Sequence, residues 1–271
     1  MTIDTYLCPA PLCVDPEQPT GARVYDFLIG GHHHFAADRA AAETVLDAMP
    51  QVPQVMRANR SFLRRAVDVV AAEGIQQFLD LGSGIPIADN VHDVARRTHP
   101  DARVVYVDID PVAVAHTRTM LADDTNADIL RADLTDPDAV LADPVVRRLI
   151  DLTAPVCLLF VAVAHHVADT TTLLHALAAY RDAVPAGSYL IMSHLTDDCD
   201  PRAVDRARQA YNKAVAPLVL RSRGEFAQML HGWQLMDPGL TYSGQWRPDS
   251  DDPEANEVAS RCVLTAAGYK P

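Results

Sequence analysis

Gln76-Gln77-Phe78-Leu79-Asp80-Leu81-Gly82-Ser83-Gly84-Ile85-Pro86 is the stretch that decides the fold of this chain. Residues 78–81 have the apolar density of a strand buried on both faces, with Asp80 near its C-terminal end. Gly82 and Gly84 let the backbone turn sharply and approach a ligand without Cβ atoms in the way. The stretch therefore predicts a buried strand that runs into a glycine loop.

A helix is predicted after this loop. Asp89-Asn90 is a suitable N-cap, and Val91, Val94 and Ala95 form an apolar stripe at helical spacing. Strand, glycine loop and helix are the opening unit of a doubly wound sheet, whose ligands bind outside the carboxyl ends of the strands.

The next two strands also end in carboxylates. Residues 102–107 predict a second buried strand, and Asp108 follows it at the position where a carboxylate accepts hydrogen bonds from two ribose hydroxyls. Residues 127–134 predict a short third strand with a terminal carboxylate, Asp133. Asp133 is placed to accept from an adenine amino group while the Leu134 N–H faces a ring nitrogen. An alternative is that Asp133 only caps the turn before the next helix.

Together these motifs resemble the class I S-adenosylmethionine (SAM)-dependent methyltransferases. The resemblance is carried by Asp80-x-Gly-x-Gly, Asp108 and Ala132-Asp133-Leu134, followed by an apolar strand at 156–161. The segments 22–31, 35–39, 57–67 and 222–223 are more specifically similar to an actinobacterial family of SAM-dependent methyltransferases that was long a domain of unknown function. The similarity extends over about residues 20 to 271.

The resemblance implies an α/β fold, a Rossmann-like seven-stranded, mostly parallel sheet with an antiparallel last strand, plus an N-terminal helical lid. It implies SAM as cofactor, an unidentified small-molecule acceptor and a role in secondary metabolism. It also implies a set of cofactor-binding residues: Tyr25, Gly31, Arg60, Asp80, Gly82, Ser83, Gly84, Asp108, Ile109, Asp133, Leu134, Val161 and Ala162. One departure from the superfamily pattern is that Ile85-Pro86 replaces the third glycine of the loop, which removes one N–H donor.

Bulk composition agrees with one large α/β domain. The chain has 271 residues, of which 49% are hydrophobic and 22% charged. Its net charge of −13 argues against nucleic acid as a partner, because a phosphate backbone would be repelled. No apolar run is long enough to span a membrane and the first residues do not form a signal peptide, so a cytoplasmic location is expected.

The five cysteines are odd in number and have no metal-type spacing, which fits a reducing compartment. Cys157 and Cys262 lie in apolar runs and are predicted to be small core residues. No metal is expected.

The chain is predicted to divide into three parts: residues 1–19 as a flexible arm, 20–74 as the helical lid and 75–271 as the SAM-binding domain. The lid would align the reactants and exclude water. A helix at 202–214 is expected to cover the acceptor pocket, with Tyr211 as a contact, and the loop at 244–252 is expected to be mobile.

Arg60 and Tyr25 are the candidates for holding the carboxylate of the donor, since a guanidinium matches a carboxylate with two hydrogen bonds. The alternative for Arg60 is that Arg57, Arg60, Arg64 and Arg65 form the solvated face of an amphipathic helix.

Histidines supply the candidate bases. His165 and His166 follow the fourth strand, next to the expected reacting centre, and either could take a proton from the acceptor; the alternative is that one packs on adenosine or caps a helix. Tyr25 is a further catalytic candidate. The run His32-His33-His34 departs from the family and predicts a surface loop or a substrate contact rather than a metal site.

Three functions remain open from the sequence. The first is a small-molecule methyltransferase. The second is an enzyme that consumes SAM by cyclising its aminobutyryl chain and releases methylthioadenosine, and the third is a SAM-binding protein without catalysis. A homodimer is left open.

Overall fold

The computed structural model describes residues 14–87, 89–249 and 258–271. Within these residues eight strands form one sheet in the order β3-β2-β1-β4-β5-β8-β6, with β7 paired to β8. The first five strands are parallel, and β6, β7 and β8 form antiparallel pairs at one side of the sheet. Their bounds are β1 Gln77–Leu81, β2 Arg103–Asp108, β3 Ala127–Arg131, β4 Cys157–Val161, β5 Tyr189–Leu195, β6 Gln234–Leu235, β7 Thr241–Tyr242 and β8 Val263–Tyr269.

Ten α-helices surround the sheet in the part of the chain that the structure describes. Their bounds are α1 Gly21–Leu28, α2 Ala36–Ala48, α3 Val52–Ala72, α4 Val91–Thr98, α5 Pro111–Met120, α6 Pro137–Ala142, α7 Pro144–Leu149, α8 Thr170–Ala183, α9 Pro201–Ala214 and α10 Arg223–Met229. The predicted fold class is confirmed. The eighth strand, β7, was not predicted from the sequence, because two residues are too few to show a period.

The two faces of the sheet bury separate apolar clusters. Leu79, Leu81 and Leu158 face one cluster, while Phe78 and Leu159 face the other. Successive side chains of a strand point to opposite faces, so Asp80 lies on the Phe78 face, towards α3. Burying each of these large side chains contributes about 1.5–3 kcal/mol, which explains the near-continuous apolar run that the sequence shows here.

Helices α1 and α2 are joined by a buried ion pair. Arg23 Nε lies 3.1 Å from Asp38 Oδ1, and both side chains are buried. The Arg23 guanidinium also donates to the carbonyls of Asp15 and Gln18, so residues 15–18 lie against α1. Residues 1–13 of the predicted flexible arm lie outside the described residues. The helices α1 and α2 pack with α9 around a third apolar cluster.

The loop after β7 differs from its prediction as a mobile segment. Trp246 is fully buried, and its ring meets that of Phe62 edge-on with the centroids 5.5 Å apart. The Trp246 carbonyl accepts from Arg65 Nε at 3.0 Å, and the Ser243 carbonyl accepts from Arg65 Nη2 at 2.7 Å. These contacts hold residues 243–246 on α3. Residues 250–252 of the predicted mobile loop lie outside the described part of the chain.

Cys262 is buried in the core as predicted, but it also forms a disulfide with Cys199, 63 residues earlier, which the sequence did not indicate. Cys199 lies just before α9 and Cys262 just before β8, and no spacing rule links two cysteines so far apart. Cys157 is buried with a free thiol, as predicted.

Replacing Cys199 with serine is expected to lower the free energy of unfolding by about 2–4 kcal/mol, because the disulfide closes a long loop in the unfolded chain. Urea unfolding with and without reductant measures this change. The double replacement Cys199→Ser, Cys262→Ser is the control and is expected to be insensitive to reductant. Equal stability of the wild type in both buffers would contradict the prediction.

No helix among the described residues is long and apolar enough to cross a membrane.

Candidate functional site

A cavity of about 760 Å³ lies at the carboxyl edge of the parallel strands, where the fold predicts a ligand. Its wall combines the ends of β1, β2, β3 and β4 with parts of α1, α2, α3 and α9. Its volume is in the range of sites that enclose a small molecule, roughly 300–1,000 Å³. The predicted site residues that line it are Tyr25, Arg60, Asp80, Gly82, Ser83, Gly84, Asp108, Ile109, Asp133, Leu134, Val161, Ala162, His165 and His166. Gly31 is not among the lining residues.

The glycine loop has the geometry that its sequence predicts. Gly82 and Gly84 have φ angles of 83° and 69°, in the left-handed region that other residues rarely adopt. A Cβ atom on Gly82 would also lie 2.2 Å from Val163 Cγ2. The Gly82 and Ser83 N–H groups donate to the Val107 carbonyl at 2.8 and 3.1 Å, so the loop is tied to β2. The Ser83 hydroxyl is buried without a hydrogen-bond partner among the described residues.

Asp108 organises the loops around the end of β2. Its Oδ2 accepts from the Gly84 N–H at 2.7 Å and its Oδ1 from the Asp110 N–H at 2.8 Å. Burial raises the pKa of the Asp108 carboxyl, and these backbone hydrogen bonds oppose the shift. Each oxygen keeps a lone pair for a ribose hydroxyl. Next to it, Ile109 is 62% exposed beside the cavity, an apolar surface that a flat base would cover.

Asp133 fits both of the roles considered for it. Its Oδ1 accepts from the Thr135 N–H at 2.8 Å and from the Thr135 hydroxyl at 2.7 Å, so it does cap the turn after β3. Asp136 is the N-cap of α6 and accepts from the Ala139 N–H. Asp133 also lines the cavity, and its Oδ2 makes no hydrogen bond to the described residues, so that oxygen is available to a ligand.

Asp80 is the group at the cavity whose pKa is shifted into the neutral range. Burial raises the pKa of its carboxyl to about 7, the nearby Arg60 opposes the shift, and the Asp108 carboxylate adds to it. Arg60 Nη2 donates to the Asp89 carbonyl at 3.1 Å, which directs part of the guanidinium along the cavity rim. A carboxyl and a guanidinium side by side match the ammonium and carboxylate of an amino acid.

A hydrogen-bond chain that the sequence did not reveal supports the end of β4. Asn59 accepts from the Ser193 hydroxyl at 2.7 Å, and Ser193 accepts from the Ala162 N–H at 2.9 Å. Ala162 has a φ of 55°, a strained conformation for a residue with a Cβ. Burial also raises the pKa of the neighbouring Tyr25 hydroxyl. The sequence feature that points to these hydrogen bonds is Asn59, a polar residue on the buried face of α3.

His165 and His166 lie in a short turn that Arg221 holds in place. Arg221 Nη1 donates to the Ala164 carbonyl at 3.1 Å, and Nη2 donates to the Val167 carbonyl at 2.8 Å. Arg221 Nη1 also lies 3.1 Å from His194 Nε2, while His194 Nδ1 lies 2.7 Å from the Leu195 carbonyl. Arg221 was missed by the sequence interpretation, because it is 55 residues from the turn and stands in no motif.

The three histidines are neutral at pH 7. Burial lowers the pKa of His166 to about 4 and that of His194 to about 4, and it lowers the pKa of His165 well below the usual value. His166 is one of the residues that line the cavity, and it is partly exposed there. Neutral rings can accept a proton and do not repel a cation such as a sulfonium.

The run His32-His33-His34 lies in a loop that Asp26 holds, away from the cavity wall. Asp26 Oδ2 accepts from the His33 N–H at 2.7 Å and lies 3.0 Å from His34 Nδ1. The Gly31 N–H donates to the Asp26 carbonyl at 2.7 Å, and a Cβ on Gly31 would collide with the Asp26 carboxylate. The conformation of this loop therefore requires glycine at position 31, and Gly31 does not line the cavity. Within the described residues, no cluster of three His, Cys, Asp or Glu side chains is arranged to hold a metal ion.

Comparison with known proteins agrees with this geometry. The family model of the S-adenosyl methyltransferases matches residues 9–271. The crystal structure of a DUF574 family protein from Streptomyces avermitilis is 35% identical, with a TM-score of 0.91, and the match covers 95% of this chain and 99% of that chain. The crystal structure of a candidate methyltransferase from Thermobifida fusca is 37% identical, with a TM-score of 0.89, and the match covers 98% and 99%. A comparison with curated proteins finds no match.

The family model extends over nearly the whole chain, and both solved structures share more than a third of its residues over almost their full length. The resemblance to SAM-dependent methyltransferases that the strand-end motifs indicate is thereby confirmed, and so is SAM as the cofactor. The chain therefore belongs to the S-adenosyl methyltransferase family.

Proposed function

We propose that this enzyme transfers the methyl group of SAM to a small molecule, and that both reactants bind in the cavity at the carboxyl edge of the sheet. The observation that carries the proposal is that one cavity of about 760 Å³ joins the strand-end carboxylates to an apolar space beneath α1, α2 and α9. A polar end suits the nucleoside and amino-acid groups of the donor. The apolar end suits an acceptor.

The residues at the polar end fit the donor group by group. Asp108 has lone pairs for the ribose hydroxyls, Ile109 offers an apolar surface to the adenine, and Asp133 has a free carboxylate oxygen for the adenine amino group. Asp80 and Arg60 are placed for the ammonium and the carboxylate of the donor. The buried Ser83 hydroxyl without a partner is a further donor to a ligand, because a buried hydroxyl normally makes a hydrogen bond.

SAM supplies an activated methyl group on a sulfonium. The chain's own residues bind this donor, hold the acceptor in line with the methyl carbon and keep water out of the cavity. His165 and His166, both neutral, are the candidates to take the proton that the acceptor loses. Burial raises the pKa of Tyr25, which keeps its hydroxyl protonated, so we assign Tyr25 to positioning the donor's amino-acid end rather than to proton exchange.

Product analysis tests the proposed reaction. With purified enzyme and SAM, we expect S-adenosylhomocysteine (SAH) to form when an acceptor is present. Calorimetry is expected to show binding of SAH to the enzyme alone. Methylthioadenosine formed from SAM alone would instead indicate intramolecular cyclisation, and binding of SAH without turnover in the presence of any acceptor would indicate a protein that only binds SAM.

The affinity for SAH is expected to depend on the protonation of Asp80. With a pKa of about 7 in the ligand-free protein, the carboxyl is protonated below that pH and cannot pair with the donor's ammonium. The raised pKa means that ionised Asp80 destabilises the ligand-free fold as the pH rises towards 7, and a bound ammonium offsets this cost. We therefore expect the affinity to rise by up to tenfold per pH unit from about pH 5.5 and to level off above about pH 7.

Calorimetric titrations with SAH over this pH range measure the effect. The variant Asp80→Asn is expected to bind SAH weakly and without this pH dependence. Asp101→Asn, in the exposed turn before β2, is expected to keep the pH dependence of the wild type. His166 and His194 do not contribute, because with pKa values of about 4 they are already neutral. A pH dependence that persists in Asp80→Asn would assign it to another group.

A further inference from the structure

The apolar end of the cavity has a composition that selects the acceptor. We call this part the acceptor end, and it is formed by residues of α1, α2, α3, α9, β5 and β8. Its wall includes Val24, Val45, Val55, Leu195, Val204 and Val263. Such a wall favours an apolar molecule, since each buried carbon group leaves water with a gain in free energy.

The acceptor end has a guanidinium only in an ion pair with a carboxylate. Among the described residues that line the cavity, the guanidinium groups are those of Arg60 and Arg208. Arg60 lies at the donor end, beside Asp80. Arg208 Nη2 forms an ion pair with Asp205 Oδ1 at 2.6 Å, one turn earlier on α9. The Asp205 carboxylate already balances the charge of Arg208, so this wall attracts a phosphate or carboxylate less than an unpaired guanidinium would.

Two polar groups converge in this apolar surrounding. A Cβ atom placed on Gly21 would lie 2.8 Å from Tyr211 Oη, 3.4 Å from His166 Cε1 and 3.6 Å from His166 Nε2. The two rings lie 5.9 Å apart, and neither side chain makes a hydrogen bond to the described residues. The absence of a side chain at Gly21 therefore leaves room for a hydroxyl and an imidazole to face the same small space.

We infer that the methyl acceptor is an uncharged, mainly apolar molecule with a hydroxyl group, and that Tyr211 and His166 together bind that hydroxyl. This inference rests on the proposed function. The Tyr211 hydroxyl donates a hydrogen bond to the acceptor oxygen, and His166 accepts the hydrogen bond of the acceptor O–H. Both groups are in the required protonation state at pH 7, because burial raises the pKa of Tyr211 and lowers that of His166 to about 4.

The lone pairs of the acceptor atom favour oxygen over nitrogen. A hydroxyl oxygen can accept from Tyr211 with one lone pair and attack the methyl carbon with the other. A neutral amine has a single lone pair, which must attack, so the Tyr211 O–H would be left without an acceptor. During methyl transfer the acceptor oxygen forms a bond to the methyl carbon while the bond between that carbon and sulfur breaks. The electron pair of the broken bond stays on the sulfur of SAH, and the proton of the acceptor hydroxyl moves to His166.

Matched aromatic probes test this inference. The affinities of 1-naphthol, 1-naphthylamine and 1-naphthoate for the enzyme–SAH complex are measured by calorimetry, together with the three corresponding anthracene compounds. We expect the hydroxyl compounds to bind about tenfold more tightly than the amines or carboxylates of the same ring system. With SAM in place of SAH, the hydroxyl compounds are expected to yield the methyl ether.

Three variants locate the effect. Tyr211→Phe is expected to weaken binding of the hydroxyl compounds about tenfold and to leave the amines unchanged, since only the hydroxyl compounds use the lost O–H. Gly21→Ala is expected to weaken the same compounds, because its Cβ displaces Tyr211 Oη. Tyr189→Phe, on the start of β5 at the opposite edge of the sheet, is the matched control and is expected to change nothing.

SAH affinity separates the two proposals. It is expected to stay unchanged in all three variants, and a wild type that fails to bind SAH would overturn the proposed function and this inference with it. If SAH binds, three results overturn only the inference: amines or carboxylates that bind as tightly as the hydroxyl compounds, unchanged affinity for the hydroxyl compounds in Tyr211→Phe, or no binding of any probe.

Discussion

Replacing Asp108 with alanine is expected to weaken SAH binding by about a hundredfold or more. The carboxylate would lose two hydrogen bonds to the ribose, and hydrogen bonds to a charged group are each worth about 1.5–3 kcal/mol. The replacement also releases the Gly84 and Asp110 N–H groups that Asp108 now holds at 2.7 and 2.8 Å, so the glycine loop loses its anchor. Calorimetry with SAH measures the loss.

Two further variants make the result specific. Asp108→Asn keeps the size of the side chain but removes its charge and one acceptor oxygen, and it is expected to give an intermediate affinity. Asp101→Ala, in the exposed turn before the same strand, removes a carboxylate from the opposite edge of the sheet and should leave the affinity unchanged. Wild-type affinity in Asp108→Ala would remove the basis for placing the nucleoside at the ends of these strands.

Replacing Gly82 with alanine is expected to lower the free energy of unfolding by about 2–5 kcal/mol and to abolish donor binding. Backbone strain and a steric collision both destabilise an alanine at this position. A φ of 83° is strained by about 1–2 kcal/mol for a residue with a Cβ, and that Cβ would lie 2.2 Å from Val163 Cγ2. The loop must move to relieve the collision, and it carries the Gly84 N–H that holds the Asp108 carboxylate in place.

Gly84 is the matched control. Its φ of 69° is also positive, but a Cβ there meets no atom within 4 Å, so Gly84→Ala is expected to cost only the conformational strain. Chemical unfolding of both variants separates the two costs. Adding Val163→Ala to Gly82→Ala removes the two nearest methyl groups and is expected to restore part of the lost stability. Equal losses in Gly82→Ala and Gly84→Ala would show that the collision with Val163 is relieved without cost.

Two loops are held by tertiary contacts that their sequences do not indicate. The loop that carries Trp246 has a polar, proline-containing sequence typical of a mobile segment, yet its tryptophan fills the space beside Phe62. The histidine run at 32–34 is ordered by Asp26, a residue that no motif connects to it. In both cases the deciding contact joins residues from different elements, which local composition does not report.

The sequence by itself determined the strands, the glycine loop and the carboxylates at the strand ends. These features depend on local physics: a buried parallel strand needs a continuous apolar run, a left-handed turn needs glycine, and parallel strands bring their carboxyl ends to one edge. Asp80, Asp108 and Asp133 could therefore be placed at one cavity from their positions in the chain alone.

Only the tertiary structure decided which side chains meet across that cavity. Tyr211 and His166 converge at Gly21, and Arg221 holds the histidine turn, although each contact joins residues far apart in the chain. The Cys199–Cys262 disulfide and the chain from Asn59 through Ser193 to Ala162 are of the same kind. The physical reason is that side-chain convergence depends on how helices pack over the sheet, and packing is set by the whole core rather than by any local period.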